Sequence, residues 1–513
     1  MSEFTDRDDG PTLRFRGGPA ASAVPLAVFV LWAVVQSGLF GIGDTTGLVT
    51  GMLLGLVVGM PFVKGPWKRY ADVIFAGMTK RVAATAVVAW LWAGMFAQTI
   101  QVGGFVDGLV WAASALDVGA ALFPAATFLL AALLATGIGT GYGTAVAFTA
   151  LVFPAGVLLG ADPVLLFGAI LSGAVFGDNL APVSDTTIVS AVTQEADIGG
   201  VVASRLKYAV VAAAFALVGY LVAGSALAGE PLSVAADTGT GSAWGLVHLL
   251  PIAVVIVTAV QGRHIVEAVS WGLSLAVVAN VALGAAGLVD VAASDVLVFS
   301  APKSSGLATA AAQAPVVGAV VETVPGAEAG VGGSIYAGAA GFFPLIVLVL
   351  LIVAAAEIMQ RGGGFEAIQS FLLDNVATGV RRAETTMVFG TALVNAAITI
   401  NTAAEIAVAP FVRTVGQRFN VNGYRRANIL DANTSALGYI FPWGGGVLAG
   451  YTAMRQLPAQ YEWFTQSMLV NPAAVWPYVF HGWFLVGVFV VAAWTGFGRE
   501  YVSDRASEEV ARV

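Results

Sequence analysis

Apolar residues fill the chain in long runs, at 21–40, 46–63, 82–101, 163–198, 208–228, 245–262, 265–288, 336–358, 427–452 and 474–496. About 20 such residues, rising 1.5 Å each, cover the roughly 30 Å hydrocarbon core of a bilayer. The pattern predicts an all-α polytopic membrane protein with about ten transmembrane helices. Stretches near 105–117 and 364–380 mix polar and apolar positions at helical spacing and read as amphipathic helices.

Positive charge gives the runs a direction. Lys64, Lys68, Arg69, Lys80, Arg81, Arg205, Lys207, Arg263, Arg361, Arg381, Arg382, Arg413, Arg418, Arg425 and Arg426 mark one side. Loops 102–119 and 229–243 carry no Lys or Arg, and 289–335 carries only Lys303. The positive-inside rule makes the first side cytoplasmic, with both termini there and the protein in the cytoplasmic membrane. Arg455 alone fits poorly.

Loop parity then requires two stretches to enter and leave by the same face. Residues 121–160 hold no Lys or Arg and must return outside, whereas 387–412 must start and finish inside. Each reads as a re-entrant hairpin with a small or polar tip, Thr136–Thr144 in one and Asn395–Glu405 in the other. Irregular backbone at this depth is tolerated only inside protein or beside a watery cavity. The arm 387–394, eight residues covering about 12 Å, is too short to span.

The order of elements repeats: two spans, an amphipathic stretch, a hairpin, a broken acidic helix and a plain span. The predicted division is a charged tail at 1–20, a first half at 21–228, a connecting loop and linking span at 229–264, a second half at 265–498, and a tail at 499–513. With hairpins opening to opposite faces this is an inverted-topology repeat, whose site lies between discontinuous helices near the midplane.

Composition narrows the function classes. Only 11% of the 513 residues are charged, against about 25% in soluble domains, so little soluble mass is available. Zero cysteines exclude disulfides, iron–sulfur clusters and thiol chemistry. His248, His264 and His481 are too scattered for a histidine-built metal site. A net charge of −8 offers no footprint for nucleic acid. There is no HExxH motif and no evident Ser–His pairing, so an enzyme is not expected, and no cofactor is implied. The partners are the lipid bilayer and small cations.

The chemistry concentrates in Gly177-Asp178-Asn179-Leu180-Ala181-Pro182-Val183-Ser184-Asp185-Thr186-Thr187. A carboxylate at membrane depth costs roughly 2.5–3.5 kcal/mol on insertion scales, so two of them need a partner. Pro182 denies the Asp178 carbonyl its helical donor and breaks the helix. On an unbroken helix Asp178 and Asp185 would stand about 10.5 Å apart along the axis, too far for one shared ion. Asp178, Asn179, Ser184, Asp185, Thr186 and Thr187 are the oxygen donors expected to take a hard cation such as sodium. The second half adds Asp431, Asn433, Thr434 and Ser435, then Tyr439 and Pro442, which would free the Gly438 carbonyl. The second hairpin adds Asn395, Asn401, Thr402 and Glu405, and the first tip adds Thr140. Asp178, Asp185 and Asp431 are the expected ligands of the transported sodium. Burial disfavours a charged carboxylate, so proton and cation compete for it, and exchange follows if the empty charged site cannot rearrange.

The motif GDNLAPVSDTT at 177–187 resembles the signature of the NhaC-type sodium/proton antiporters, part of a larger ion transporter superfamily. GTGYGT at 139–144 resembles that family's hairpin tip, and Leu430-Asp431 through Pro442-Trp443 is similar to its second acidic helix. The resemblance implies secondary sodium/proton antiport by alternating access, a scaffold domain, a mobile transport domain and, in many relatives, a homodimer. The alternative is a sodium- or proton-coupled transporter of an organic acid or amino acid on the same fold. Arginines in the site would favour it, and the sequence places none there. An intramembrane hydrolase and a channel are the remaining readings.

Overall fold

The computed structural model describes residues 13–182, 184–232, 242–261, 263–325 and 329–502. Residues 1–12 of the first tail, Val183 of the acidic motif, 233–241 of the connecting segment and 503–513 of the second tail lie outside the described residues.

The chain is an all-α polytopic membrane protein. Eight helices among the described residues are long and apolar enough to cross a membrane. In the first half these are α1 (Pro19–Leu39), α2 (Thr45–Phe62) and α4 (Arg81–Val102), with α3 (Trp67–Met78) lying between α2 and α4. Asp44, at a span end, caps α2 by accepting from the amides of Thr46 and Gly47, each at 3.0 Å. The end of the first tail is tied down: β1 (Arg14–Phe15) pairs antiparallel with β2 (Val63–Lys64). The amphipathic stretch forms α5 (Phe105–Ala115).

The first hairpin is α6 (Phe123–Ile138) followed by α7 (Gly141–Leu151) and α8 (Phe153–Leu158). Its tip turns at Gly139, whose φ of +71° is a left-handed conformation that glycine adopts without strain. α6 has 16 residues, about 24 Å, so it stops short of a full crossing. It packs along α9 (Pro163–Leu180), which ends where Pro182 denies it a further amide. The chain resumes as α10 (Asp185–Thr193) and then α11 (Ile198–Leu227), an unbroken 30-residue helix.

α11 corrects one expectation. The span predicted from 208 begins ten residues earlier, where Asp197 caps it by accepting from the Gly200 amide at 2.7 Å. Arg205, assigned by its charge to a cytoplasmic loop, is therefore inside a helix and completely buried.

After α12 (Ala243–Ala259) and α13 (Val266–Ala285), three short strands form a small sheet that hydropathy did not anticipate. β3 (Val298–Pro302) lies at its centre, parallel to β4 (Val321–Val324) and antiparallel to β5 (Gly330–Gly332). α14 (Ser334–Arg361) then packs on α3 and α4. Glu357, near its end, is buried and ion-paired with Lys80 and Arg361.

The second hairpin follows the amphipathic α15 (Gly364–Asn375). It consists of α16 (Val380–Ile398) and α17 (Asn401–Arg418). Here the predicted arm was too short. α16 has 19 residues because the charged Arg381, Arg382 and Glu384 belong to it, Glu384 being buried against Arg425 and Arg499. Its tip turns at Thr399, with φ of +61°, an unusual conformation for a β-branched residue. The second broken helix is α18 (Gly423–Leu437) and α19 (Gly445–Met454). The Gly438 carbonyl, expected to be left free by Pro442, accepts from the Gly446 amide at 3.1 Å. The last span ends as α20 (Phe480–Thr495), packed on α11.

The two repeats interlock. α10 lies against α17 and α18, while α19 lies against α7. Each broken helix thus touches the other half's hairpin, and both breaks sit inside the bundle.

Candidate functional site

At the first break the backbone does two things at once. α9 stops at Leu180 and α10 starts at Asp185, so Asp178 sits in the last turn of one helix and Asp185 at the first position of the next. The positive end of α10 favours a carboxylate there. Ser184 holds the N-cap position, yet its hydroxyl does not cap. It donates instead to Asp178 Oδ1 at 2.9 Å and lies 3.0 Å from Thr186 Oγ1.

Each aspartate takes its second contact from the opposite half. Tyr439 donates its hydroxyl to Asp178 Oδ2 at 3.2 Å, and Thr402 donates to Asp185 Oδ2 at 2.5 Å. Asp185 also accepts from the Thr186 amide at 3.1 Å. Tyr439 stacks on Tyr142 of the first hairpin with ring centroids 5.4 Å apart. The Tyr142 hydroxyl in turn accepts from the Asn401 amide at 3.1 Å. Gly446 and Gly141 make this possible, since a Cβ at either would strike Tyr439.

The second acidic helix is organised differently. Asp431 is completely buried and ion-paired with Arg205, and it also accepts from Ser435 Oγ at 2.5 Å and Ser190 Oγ at 3.4 Å. Glu405 accepts from Thr434 at 2.9 Å through one oxygen, and its Oε2 is buried with no hydrogen-bond partner among the described residues. The side-chain oxygens of Asn179, Asn395 and Asn433 are buried in the same condition. Acceptors buried without donors leave lone pairs that a dehydrated hard cation can use.

Not every predicted residue converges on the two breaks. Asn433 turns toward the hairpin arm, donating to Thr391 at 3.4 Å, and the Asn179 amide donates back to Val175 O at 2.9 Å. Thr187 reaches Arg205 at 3.3 Å, and Asn401 donates to Ser435 O at 3.4 Å. No three acidic or histidine side chains are gathered as one metal-binding set among the described residues. Asp178 and Asp185, read beforehand as either approaching one another or serving different ions, are linked through Ser184 and Thr186, whereas Asp431 is held by Arg205, Ser190 and Ser435.

A cavity of about 380 Å³ reaches the site. Thr140, Tyr142, Pro182, Asp185 and Thr402 line it, together with Arg263 and His264. Asp185 is only partly buried because it faces this space.

Sequence reasoning missed three residues here: Arg205, Tyr142 and Ser190. The signal for Arg205 was present, since apolar Ile198, Val201 and Val202 extend the helical pattern of 208–228 backwards through it. Counting its charge as a loop marker hid that pattern.

Comparisons with known proteins point to one transporter family. The family model described as the Na+/H+ antiporter family matches residues 14–225 and 238–483. A malate-2H(+)/Na(+)-lactate antiporter of Bacillus subtilis is 27% identical over 206 residues, 39% of this chain and 39% of that protein. An uncharacterized protein of Haemophilus influenzae is 26% identical over 222 residues, 41% of this chain and 40% of that protein. Each of these matches spans about two fifths of the relative's own length.

Proposed function

We propose a mechanism from one premise: the chain belongs to the Na+/H+ antiporter family, whose model matches it over most of its length. It exchanges sodium for protons across the cytoplasmic membrane by alternating access. Asp178 and Asp185 carry either a cation or a proton, with Glu405 as the next acid in line. Membership in a transporter family supports reading the chain as a transporter rather than an enzyme, and no cofactor enters the scheme.

One observation carries the reading most directly. The carboxylate of Asp185 stands where a cavity ends, held by a hydroxyl from the other half of the molecule. Arg263 and His264 border this cavity, and the positive-inside rule puts Arg263 on the cytoplasmic side, which supports reading this arrangement as inward-facing. A cation entering there meets Asp185 and the hydroxyl of Thr402 and must displace a proton to be bound. When cation or proton neutralises the acids, the buried charge that opposes rearrangement disappears, and the loaded site can turn to the other face.

The second reading, exchange of organic acids, draws on the Bacillus subtilis relative, named for malate and lactate. A carboxylate substrate calls for a free guanidinium face. The site does contain an arginine, but Arg205 is directed at acceptors of the protein itself.

The deciding experiment uses purified protein in liposomes with an internal pH dye. Sodium alone is expected to drive proton movement, and malate or lactate is expected to add nothing. Proton movement that appears only when one of those acids is supplied would replace the first reading with the second. A gradient that collapses without any countersubstrate would identify a channel instead.

A further inference from the structure

We infer that Arg205 is a resident counter-cation of the transport site: a positioning residue that fills the place at Asp431 with a charge fixed to the protein. The inference rests on the antiport reading above and says which carboxylates take part in it.

The geometry is specific. The completely buried Arg205 guanidinium donates to Asp431, to Asn428 Oδ1 at 3.0 Å, to Ser190 Oγ at 3.3 Å, to Thr187 Oγ1 at 3.3 Å and to the main-chain oxygen of Asn179 at 2.5 Å. Those acceptors lie on three separate pieces. Asn179 belongs to the end of α9, Thr187 and Ser190 to α10, and Asn428 and Asp431 to α18. The donors of one planar group therefore span the first helix break and join it to the second broken helix. The Asn179 carbonyl is one of those that α9 leaves without a helical donor, and it too is met by positive charge.

Such a group does more than hold the pieces together. A guanidinium keeps its proton at all working pH values, so Asp431 is compensated permanently. Neither sodium nor a proton has to visit it. A transported ion would compete there with a tethered cation at far higher local concentration. Asp431 thus leaves the exchanging set, which reduces to Asp178, Asp185 and Glu405. The same fixed charge offsets part of the mutual repulsion of Asp178, Asp185, Glu405 and Asp431 around the two breaks.

Equilibrium binding of radioactive sodium to the full-length protein in nanodiscs tests this with D431N and R205Q/D431N. D431N leaves the guanidinium uncompensated inside the site and is expected to weaken sodium binding about tenfold or more. R205Q/D431N removes both charges and is expected to return the affinity to within about threefold of wild type. A folded double variant as weak as D431N would make Asp431 a direct sodium ligand and overturn the inference. So would a D431N protein that binds sodium as tightly as wild type. If D431N does not fold, the charge-neutral double variant decides alone, because near-wild-type binding without Asp431 excludes it as a ligand. Wild-type protein that binds no sodium overturns the antiport reading and this inference together, and is distinguished from the other outcomes by that control.

Discussion

Thr402 Oγ1 donates to Asp185 Oδ2 at 2.5 Å, joining the first turn of α10 in one half to the first turn of α17 in the other. The bond connects a carboxylate facing the cavity to a hairpin tip, so it reports on whether the halves cooperate in binding. A hydrogen bond to a charged group contributes about 1.5–3 kcal/mol. Replacing Thr402 by Val keeps the shape and removes the donor. The sodium concentration for half-maximal proton release is expected to rise about tenfold, measured by dye quenching in everted vesicles.

Asp185→Asn keeps the volume and the Thr402 contact but cannot exchange a proton for a cation. Sodium-dependent proton flux is expected to fall to that of vesicles lacking the protein. The melting temperature in detergent should not drop, since a neutral amide costs less to bury than a carboxylate. Retained coupling would remove Asp185 from the mechanism.

Tyr439 touches Asp178 through a single hydroxyl at 3.2 Å, while its ring stacks on Tyr142. Tyr439→Phe is expected to weaken sodium affinity by less than about tenfold, because the bond is long and the ring packing survives. Gly446→Ala should be worse than Tyr439→Phe, because its Cβ would displace the whole ring rather than remove one donor. Side-by-side transport assays of the two variants check the order.

At the exposed start of α11, the Tyr424 hydroxyl and the Gly200 amide hold the Asp197 carboxyl below its ordinary range. A depressed carboxyl stabilises the fold above its unfolded pKa and loses that contribution as pH falls through the folded value. Asp197→Ala is therefore expected to lower the melting temperature at neutral pH. The gap to wild type should close as pH drops through and below the usual carboxylate range. Thermal melts across that range measure it, and a gap independent of pH would assign the loss to something other than the charged cap.

What could be read beforehand depended on which signals were local. Pro182 between two aspartates marks a broken acidic helix without any knowledge of tertiary contacts, and the helix is broken there. The hairpin around Gly139 was legible from the lack of Lys and Arg on both arms. The start of α16 was not, because Glu384 is neutralised by Arg425 and Arg499 from distant parts of the chain. Arg205 was hidden for the same reason, since its partner Asp431 lies 226 residues away. A charge rule treats every arginine as water-seeking, and it fails where a remote carboxylate meets one indoors. The three strands between 298 and 332 leave no trace in a hydropathy reading, because they are only three to five residues long and lie outside the spans.

The crossed packing of α10 on α17 and α19 on α7 has a mechanical consequence. Swinging either hairpin open alone would tear the backbone contact between Thr399 and Gly445 or the hydroxyl bridge from Tyr142 to Asn401. On the antiport proposal, access to the two faces would alternate by carrying tips, half-helices and ion as one slab past α4 and α14, like a sash sliding in its frame.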